Sequence, residues 1–211
     1  MNNNIIYRNL EKKDYKEVKR LINEGFGFDD FIKDEDVLDS LLEIYMQECI
    51  IDSSFGRVAE KEGVVIGIIL GKANSDSKKL SRYHNRLSMI KSLLKLCISN
   101  KNNKKLMSGF TSIQHAYNEM IKGRECDFDG CAQLFIVSKE SRGFGVGKEL
   151  MNQLYTYMHE MNVKSFYLYT DTRCNFGFYD SQNFKRVSEK EIELESLNES
   201  MTVFLYGYYF K

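Results

Sequence analysis

The chain has 211 residues and contains neither proline nor tryptophan. The absence of proline reads as compositional bias and excludes no fold class. Its 30 basic and 30 acidic residues cancel, so no global field directs it to nucleic acid or a membrane. Five cysteines (Cys49, Cys97, Cys126, Cys131 and Cys174) are scattered without a CxxC pair, and their number is odd. With no secretory segment expected ahead of them, they read as reduced thiols of a cytoplasmic protein. The longest apolar or glycine run, "GVVIGIILG", is far too short to span a bilayer, and the start "MNNNIIYRNL" lacks an apolar signal core. The three histidines, His84, His115 and His159, are far apart and lack metal-ligand spacing, so no metal is expected. No Ser-His-Asp arrangement can be read.

What is present is enough apolar residue, 43%, to build a core, and 28% charged residues of uneven distribution. Residues 29–62 hold eleven acids and three bases; residues 77–106 hold nine lysines and arginines and no acid. "NIIYRNL" reads as a first strand. Asp14 with Glu17 forms a capping box for a helix with Val18, Leu21 and Ile22 on one face. "EGFGFDDF" breaks it, and Val37, Leu38, Leu41, Leu42 and Tyr45 mark a second helix. "RVAEKEGVVIGIILGKA" is a hairpin turning at Glu62-Gly63. Residues 76–122 show no strand signal. Leu87, Ile90, Leu94 and Leu96 to Ile98 suggest a basic amphipathic helix. "SNKNNKK" reads as a polar loop mobile at its tip, and "GFTSIQHAYNEMI" as another helix. "CAQLFIVS" is a buried strand, followed by a helix from about Val146 to Met161 with Val146, Leu150, Leu154, Met158 and Met161 inward. "KSFYLYT" is a strand, "NFGFYDSQ" a short helix, and "NFKRVSEKEI" with "MTVFLYGYYF" a final strand pair.

"SRGFGVGKEL", Ser141 to Leu150, carries three glycines between strand and helix. Glycines leave backbone N–H groups open to a ligand, and the helix that starts there adds its positive dipole end, which together make a phosphate nest. The spacing is GxGxG rather than GxGxxG, "SKESR" separates strand from loop, and a hairpin precedes it, all against a Rossmann unit. Lys148 is followed by Glu149, so the Walker pattern fails. The alternative is that the glycines only allow close helix packing.

What fits is RxxGxG, from Arg142 to Gly147. "LFIVSKESRGFGVGKELM" resembles the acetyl-CoA-binding core of GNAT-superfamily N-acetyltransferases, and "FYDSQNF" looks like that family's FYEKLGF segment. The resemblance is strong from Cys131 to Val187, loose over the first 75 residues, and does not extend to residues 76–122. It implies an α/β fold: a mixed, mostly antiparallel sheet of about seven strands with helices on both faces. The whole chain would be one N-acetyltransferase-like domain carrying a helical insertion at about 76–122, between the third and fourth strands.

The resemblance also implies a site. Backbone groups of Phe135, Ile136 and Val137 would meet the acetyl and pantetheine portion of acetyl-CoA, where two central strands splay apart. The amides of Arg142, Gly143, Phe144, Gly145, Val146, Gly147 and Lys148 would hold the pyrophosphate. Tyr179 falls on the tyrosine that protonates the departing thiolate; its alternative is a core aromatic. Thr172 stands where the family often has asparagine, and Asn175, one helical turn on, is assigned to the cofactor, with a helix N-cap as its alternative. Asn183 replaces the usual glycine and tolerates a left-handed conformation. Cys131 stands where a glutamate base is common. It reads as a small buried residue, with an acetyl-cysteine route as alternative, and the base falls to Glu125, Asp127, Asp129 or a water chain.

The implied activity is acetyl transfer from acetyl-CoA, as co-substrate, to a primary amine of a small molecule or peptide by direct attack. The alternative is a non-catalytic acyl-CoA-binding sensor or scaffold. No nucleic acid or membrane partner is expected, and a homodimer is allowed. In proteins the chain resembles, the first two helices flank the acceptor side. The acids there (Asp29, Asp30, Asp34, Glu35, Asp36 and Asp39) read as a solvated face or as a rim for a polycationic acceptor, with the basic stretch kept away from it.

Overall fold

The computed structural model describes residues 4–78, 80, 86–98, 103–194 and 199–211. Seven strands form one open, mostly antiparallel sheet: β1 (Ile5–Asn9), β2 (Phe55–Lys61), β3 (Val64–Ala73), β4 (Gly130–Val137), β5 (Ser165–Asp171), β6 (Lys185–Leu194) and β7 (Glu199–Tyr209), in the order β1-β2-β3-β4-β5-β7-β6. The helices are α1 (Tyr15–Phe26), α2 (Phe28–Phe31), α3 (Glu35–Ile51), α4 (Arg86–Ile98), α5 (Asn103–Ile121), α6 (Val146–Glu160) and α7 (Gly177–Ser181). By contact the chain divides into two compact units, residues 1–98 with 132–162 and residues 99–131 with 163–211.

In the first unit the β2–β3 hairpin forms as expected. Glu62 (φ 53°) and Gly63 (φ 81°) both take left-handed conformations, which a tight two-residue turn requires. Val18, Leu21 and Ile22 of α1 and Leu42, Met46 and Ile50 of α3 pack with Ile68 and Leu70 of β3 into one core. Gly67 lies on the other face of β3 by the strand's period of two, and α6 covers it through Leu150 and Val146. Burial of these aliphatic side chains supplies the main stabilising force, at about 1.5–3 kcal/mol for each one fully buried.

Several expectations change here. The capping box pairs Glu11 with Asp14 around a short 3₁₀ turn, not Asp14 with Glu17. Asp14 is buried, accepts the Glu11 N–H at 2.8 Å and binds Arg8 at 2.7 Å, so it is committed before α1 begins, and Glu17 pairs with Arg20 instead. Gly27, left-handed at φ 65°, ends α1, and the extra turn α2 follows. On α6, Met151 and Tyr157 are buried, whereas Met161 is the half-exposed C-cap. Tyr157 is held inward by its hydroxyl, which hydrogen-bonds Ser54 Oγ at 2.6 Å.

In the second unit β7 pairs antiparallel with both β5 and β6. Ala116 and Met120 of α5 pack on Ile192, Leu194, Met201, Val203 and Leu205. The Tyr117 and Tyr169 rings stack at 4.1 Å and 9°, and the Tyr169 hydroxyl donates to the Tyr117 carbonyl at 2.9 Å. Helix α5 begins at Asn103, earlier than "GFTSIQHAYNEMI" suggests. Residues 99–102 of the expected polar loop, with the mobility assigned to its tip, lie outside the described residues.

Candidate active site

The segment entering the glycine loop is pinned to the first unit at several points. Ser138 N–H donates to the Ile66 carbonyl of β3 at 2.9 Å, and Ser138 Oγ donates to Ser141 Oγ at 2.9 Å. The Lys139 N–H donates to the Glu24 carboxylate of α1. Glu24 in turn pairs with Arg20 at 3.1 Å, and Arg20 donates to the Val65 carbonyl at 3.2 Å. Glu24 and Arg20 thus position the loop from a distance of more than 100 residues in sequence, and no local pattern signals that role.

Gly143 (φ 84°) and Gly145 (φ 79°) are left-handed, and a Cβ on either would meet nothing within 4 Å. These two glycines are therefore present for backbone conformation beside open space, not for close helix packing. Packing is the task of Gly67 on β3. A Cβ there would lie 3.0 Å from Leu150 Cδ1 and 3.3 Å from both Val146 Cγ1 and the Ile136 carbonyl oxygen. Gly67 lets the first turn of α6 settle on the strand. The first intrahelical bond of α6 runs from Glu149 N–H to the Gly145 carbonyl, at 3.0 Å. Helix geometry leaves the N–H groups of Val146, Gly147 and Lys148 without intrahelical acceptors. Their dipole end is positive, and exposed Arg142 and Lys148 add charge; among the described residues neither forms an ion pair. Phe144 is 64% exposed at the loop tip.

Along β4, Ile136 is buried and Phe135 and Val137 are half-buried. The parallel ladder between β4 and β5 consists of Gly130↔Phe166 and Cys131↔Tyr167, and ends there.

The second unit carries Tyr179 on α7. The turn is fastened by a network that sequence reasoning did not find. The Tyr206 hydroxyl donates to Asp180 Oδ1 at 2.8 Å and accepts from Arg186 Nη2 at 3.1 Å, while the Arg186 guanidinium lies 4.3 Å from the Phe204 ring centroid. Asn183 is left-handed at φ 63°, as its tolerance for that region allows, and the Phe184 N–H returns to the Tyr179 carbonyl at 3.2 Å. The Tyr179 ring is buried among Phe178, Phe184 and Tyr206. Burial raises its phenol pKa above the ordinary value, and Cys174, Asp171 and Tyr206 raise it further. Burial likewise pushes the Cys174 thiol up to about 12. Its Sγ sits 3.8 Å from the buried Asp171 carboxylate.

Asn175 and Thr172 are exposed, and the N-cap of α7 is Phe176, so Asn175 does not serve as that cap. Cys131 is buried. Asp129 accepts the Lys164 N–H at 2.8 Å and is committed to that clip, while Glu125 and Asp127 are exposed. His115 lies against Glu119 at 3.4 Å, His159 is exposed, and His84 lies outside the described residues. Among the described residues no group of three potential metal ligands occurs.

The acids of the acidic turn are all exposed, but some of them have partners. Asp34 caps α3, accepting from Asp36 N–H at 3.0 Å and Val37 N–H at 3.1 Å. Asp39 pairs with Lys19 at 2.6 Å, and Asp36 with Lys95 of α4 at 3.3 Å. The basic stretch is therefore not kept away from the acids. Helix α4 packs on α3, and this pairing of signs offers a reason.

The fold has counterparts in known proteins. The model of a family described as "Acetyltransferase (GNAT) family" matches residues 15–184. The chain belongs to the GNAT acetyltransferase family. The Ard1 structure from Thermoplasma volcanium is similar to this GNAT chain with a TM-score of 0.55 at 15% identity, covering 98% of each chain. The Drosophila melanogaster polyamine N-acetyltransferase, an enzyme that catalyses formation of N-acetylagmatine, gives 0.56 at 9% identity, over 98% of this chain and 100% of that one. An N-acetyltransferase from Staphylococcus aureus gives 0.52 at 13%, over 99% of each. At such identities the likeness is one of fold. No curated protein sequence matches the chain.

Gly67→Ala should destabilise the GNAT fold by about 1–3 kcal/mol, the usual range for overpacking, because Val146 and the Ile136 carbonyl have little room to retreat. Urea denaturation midpoints of the two proteins check this.

Proposed function

We propose that the chain transfers the acetyl group of acetyl-CoA to a primary amine by direct attack. The observation that carries the reading is the open glycine loop at the start of α6, with left-handed Gly143 and Gly145, N–H groups free of intrahelical acceptors, and Arg142 and Lys148 beside them. This donor set suits a pyrophosphate, which needs several N–H donors and positive charge without intruding side chains. The amides from Arg142 through Phe144 to Lys148 hold the pyrophosphate in this reading, and the backbone of Phe135, Ile136 and Val137 meets the acetyl-pantetheine arm. Family membership supports acetyl-CoA as the donor. Asn175, exposed ahead of α7, is assigned to cofactor contact on the same reading.

In the proposed step the amine nitrogen bonds to the thioester carbonyl carbon, the C–S bond breaks, and Tyr179 gives its proton to the departing thiolate. A phenol whose pKa is raised by burial holds its proton throughout the neutral range, which suits an acid. The proton lost by the amine passes to water, reached directly or through Glu125 or Asp127, since Asp129 is engaged. Alignment of amine and thioester accounts for much of the acceleration. A non-catalytic acyl-CoA-binding module would bind acetyl-CoA without turning it over with any amine.

Gly145→Glu should lower acetyl-CoA affinity at least tenfold, about 1.4 kcal/mol, by placing a carboxylate against the pyrophosphate. Calorimetric titration of the folded variant measures it, and an unchanged affinity removes the loop assignment. Tyr179→Phe preserves the ring contacts and removes only the hydroxyl. The expected result is near-normal acetyl-CoA binding with kcat down about 10²-fold, the low end for general acid–base catalysis. A wild-type kcat would make the tyrosine structural.

The neighbours that form N-acetylagmatine or act on polyamines support a cationic acceptor for this chain too. Since Asp34, Asp36 and Asp39 have structural partners, the charge left for such an acceptor is that of Asp29, Asp30 and Glu35. Replacing these three by Asn, Asn and Gln should cut kcat/KM for a diamine by roughly tenfold, the low end of electrostatic steering, and spare a matched monoamine. The difference should shrink as salt rises. Equal constants for both amines at every salt concentration would leave the acids as ordinary surface.

A further inference from the structure

The outward face of α4 is apolar in a way that neither the catalytic reading nor the packing of the first unit uses. Four of the eight large hydrophobic side chains exposed among the described residues lie on this one helix of 13 residues: Leu87 (72%), Ile90 (52%), Leu93 (41%) and Leu94 (57%). They recur at helical spacing, so they form a stripe rather than isolated exposures. The opposite side, with Ser92 buried and Met89 and Leu96 half-buried, is the one turned to the protein as α4 packs on α3. At 100° per residue, Leu87, Ile90 and Leu94 centre the outward stripe. Exposed Lys91 borders it on one side and position 86, an arginine, falls on the other, while Lys95 lies further round, towards α3, where it pairs with Asp36.

Charge decides what can cover this stripe. Residues 77–106 contain nine lysines and arginines and no aspartate or glutamate. Two copies of α4 pairing face to face would bring like charges together, with no acid on the helix to offset them. An anionic lipid surface answers both features, because aliphatic side chains enter the acyl boundary while flanking lysines reach the headgroups. At 13 residues the helix is about 20 Å long, and among the described residues no helix is long and apolar enough to cross a membrane. A helix lying in the interface needs neither length nor continuous hydrophobicity.

We propose that α4 docks the protein on the surface of an anionic bilayer through Leu87, Ile90, Leu93 and Leu94, flanked by Lys91. The contact is peripheral and reversible, and it is independent of the glycine loop. It also gives the local excess of base a purpose that the chain's zero net charge conceals.

The test is co-sedimentation of the full chain with vesicles of phosphatidylcholine containing 30% phosphatidylglycerol, and with phosphatidylcholine alone. Binding to the anionic vesicles should fall as salt rises and be weak or absent on neutral ones. Leu87→Gln, Ile90→Gln and Leu94→Gln together should abolish it. Lys91→Gln should weaken it about fivefold, the equivalent of about 1 kcal/mol for one basic residue at such a surface. These side chains are exposed, so folding should survive, and an unchanged circular dichroism spectrum together with native-like acetyl-CoA affinity verifies that. No sedimentation with anionic vesicles, or binding that the triple variant retains, overturns the proposal. So does a dimer in analytical ultracentrifugation that the triple variant dissolves, because a second copy would then be the occupant.

Discussion

The chemistry available at the glycine loop depends on how closely the first turn of α6 approaches β3. Gly67 sets that approach, and Val146 and Leu150 occupy the space a side chain would have filled. With the helix seated, Gly145 takes its left-handed turn in front of it, and the leading N–H groups are left without intrahelical acceptors. The clamp from Arg20 through Glu24 to Lys139 fixes the other side of the same turn. The nest proposed for the pyrophosphate is thus built from one absent side chain beneath, two absent side chains in front, and an ion pair behind.

The second unit solves a different problem. In the proposed mechanism its tyrosine, Tyr179, must keep a proton and hold still. Burial serves the first need, and the Asp180–Tyr206–Arg186 chain serves the second by tying the five-residue helix α7 to β6 and β7. A helix that short has little intrinsic stability, so it depends on these tertiary bonds.

Much of this was legible in the sequence because the relevant physics is local. Glu62-Gly63 announces a hairpin, the unbroken apolar run of β3 and the 3.6-residue period of α6 announce their elements, and the glycine loop shows its own backbone demands. Local reading failed where one side chain had two claimants. Asp14 looks like the cap of α1 until Arg8 is seen to hold it, and Met161 continues the apolar period of α6 past the point where the helix ends. Glu24, Arg20, Tyr206 and Gly67 act through partners 20 to 115 positions away, and no window of the sequence contains both members of such a pair. The acidic turn is a case of the same kind: its composition is visible in the sequence, but its partners Lys19 and Lys95 are not.

Residues 76–122 look from sequence like a single appendage, but the fold spends them in two places. Helix α4 lies on α3 in the first unit, whereas Ala116, Met120 and Tyr117 of α5 cover Leu205, Val203 and Tyr169 in the second. The stretch is therefore a poor candidate for trimming. A short linker in its place would strip the aliphatic and aromatic face of β5 and β7 and uncover the flank of α3 in the same stroke. A homologue lacking this stretch would need different residues on both surfaces, so its length and the composition of those two faces are expected to change together in the lineage.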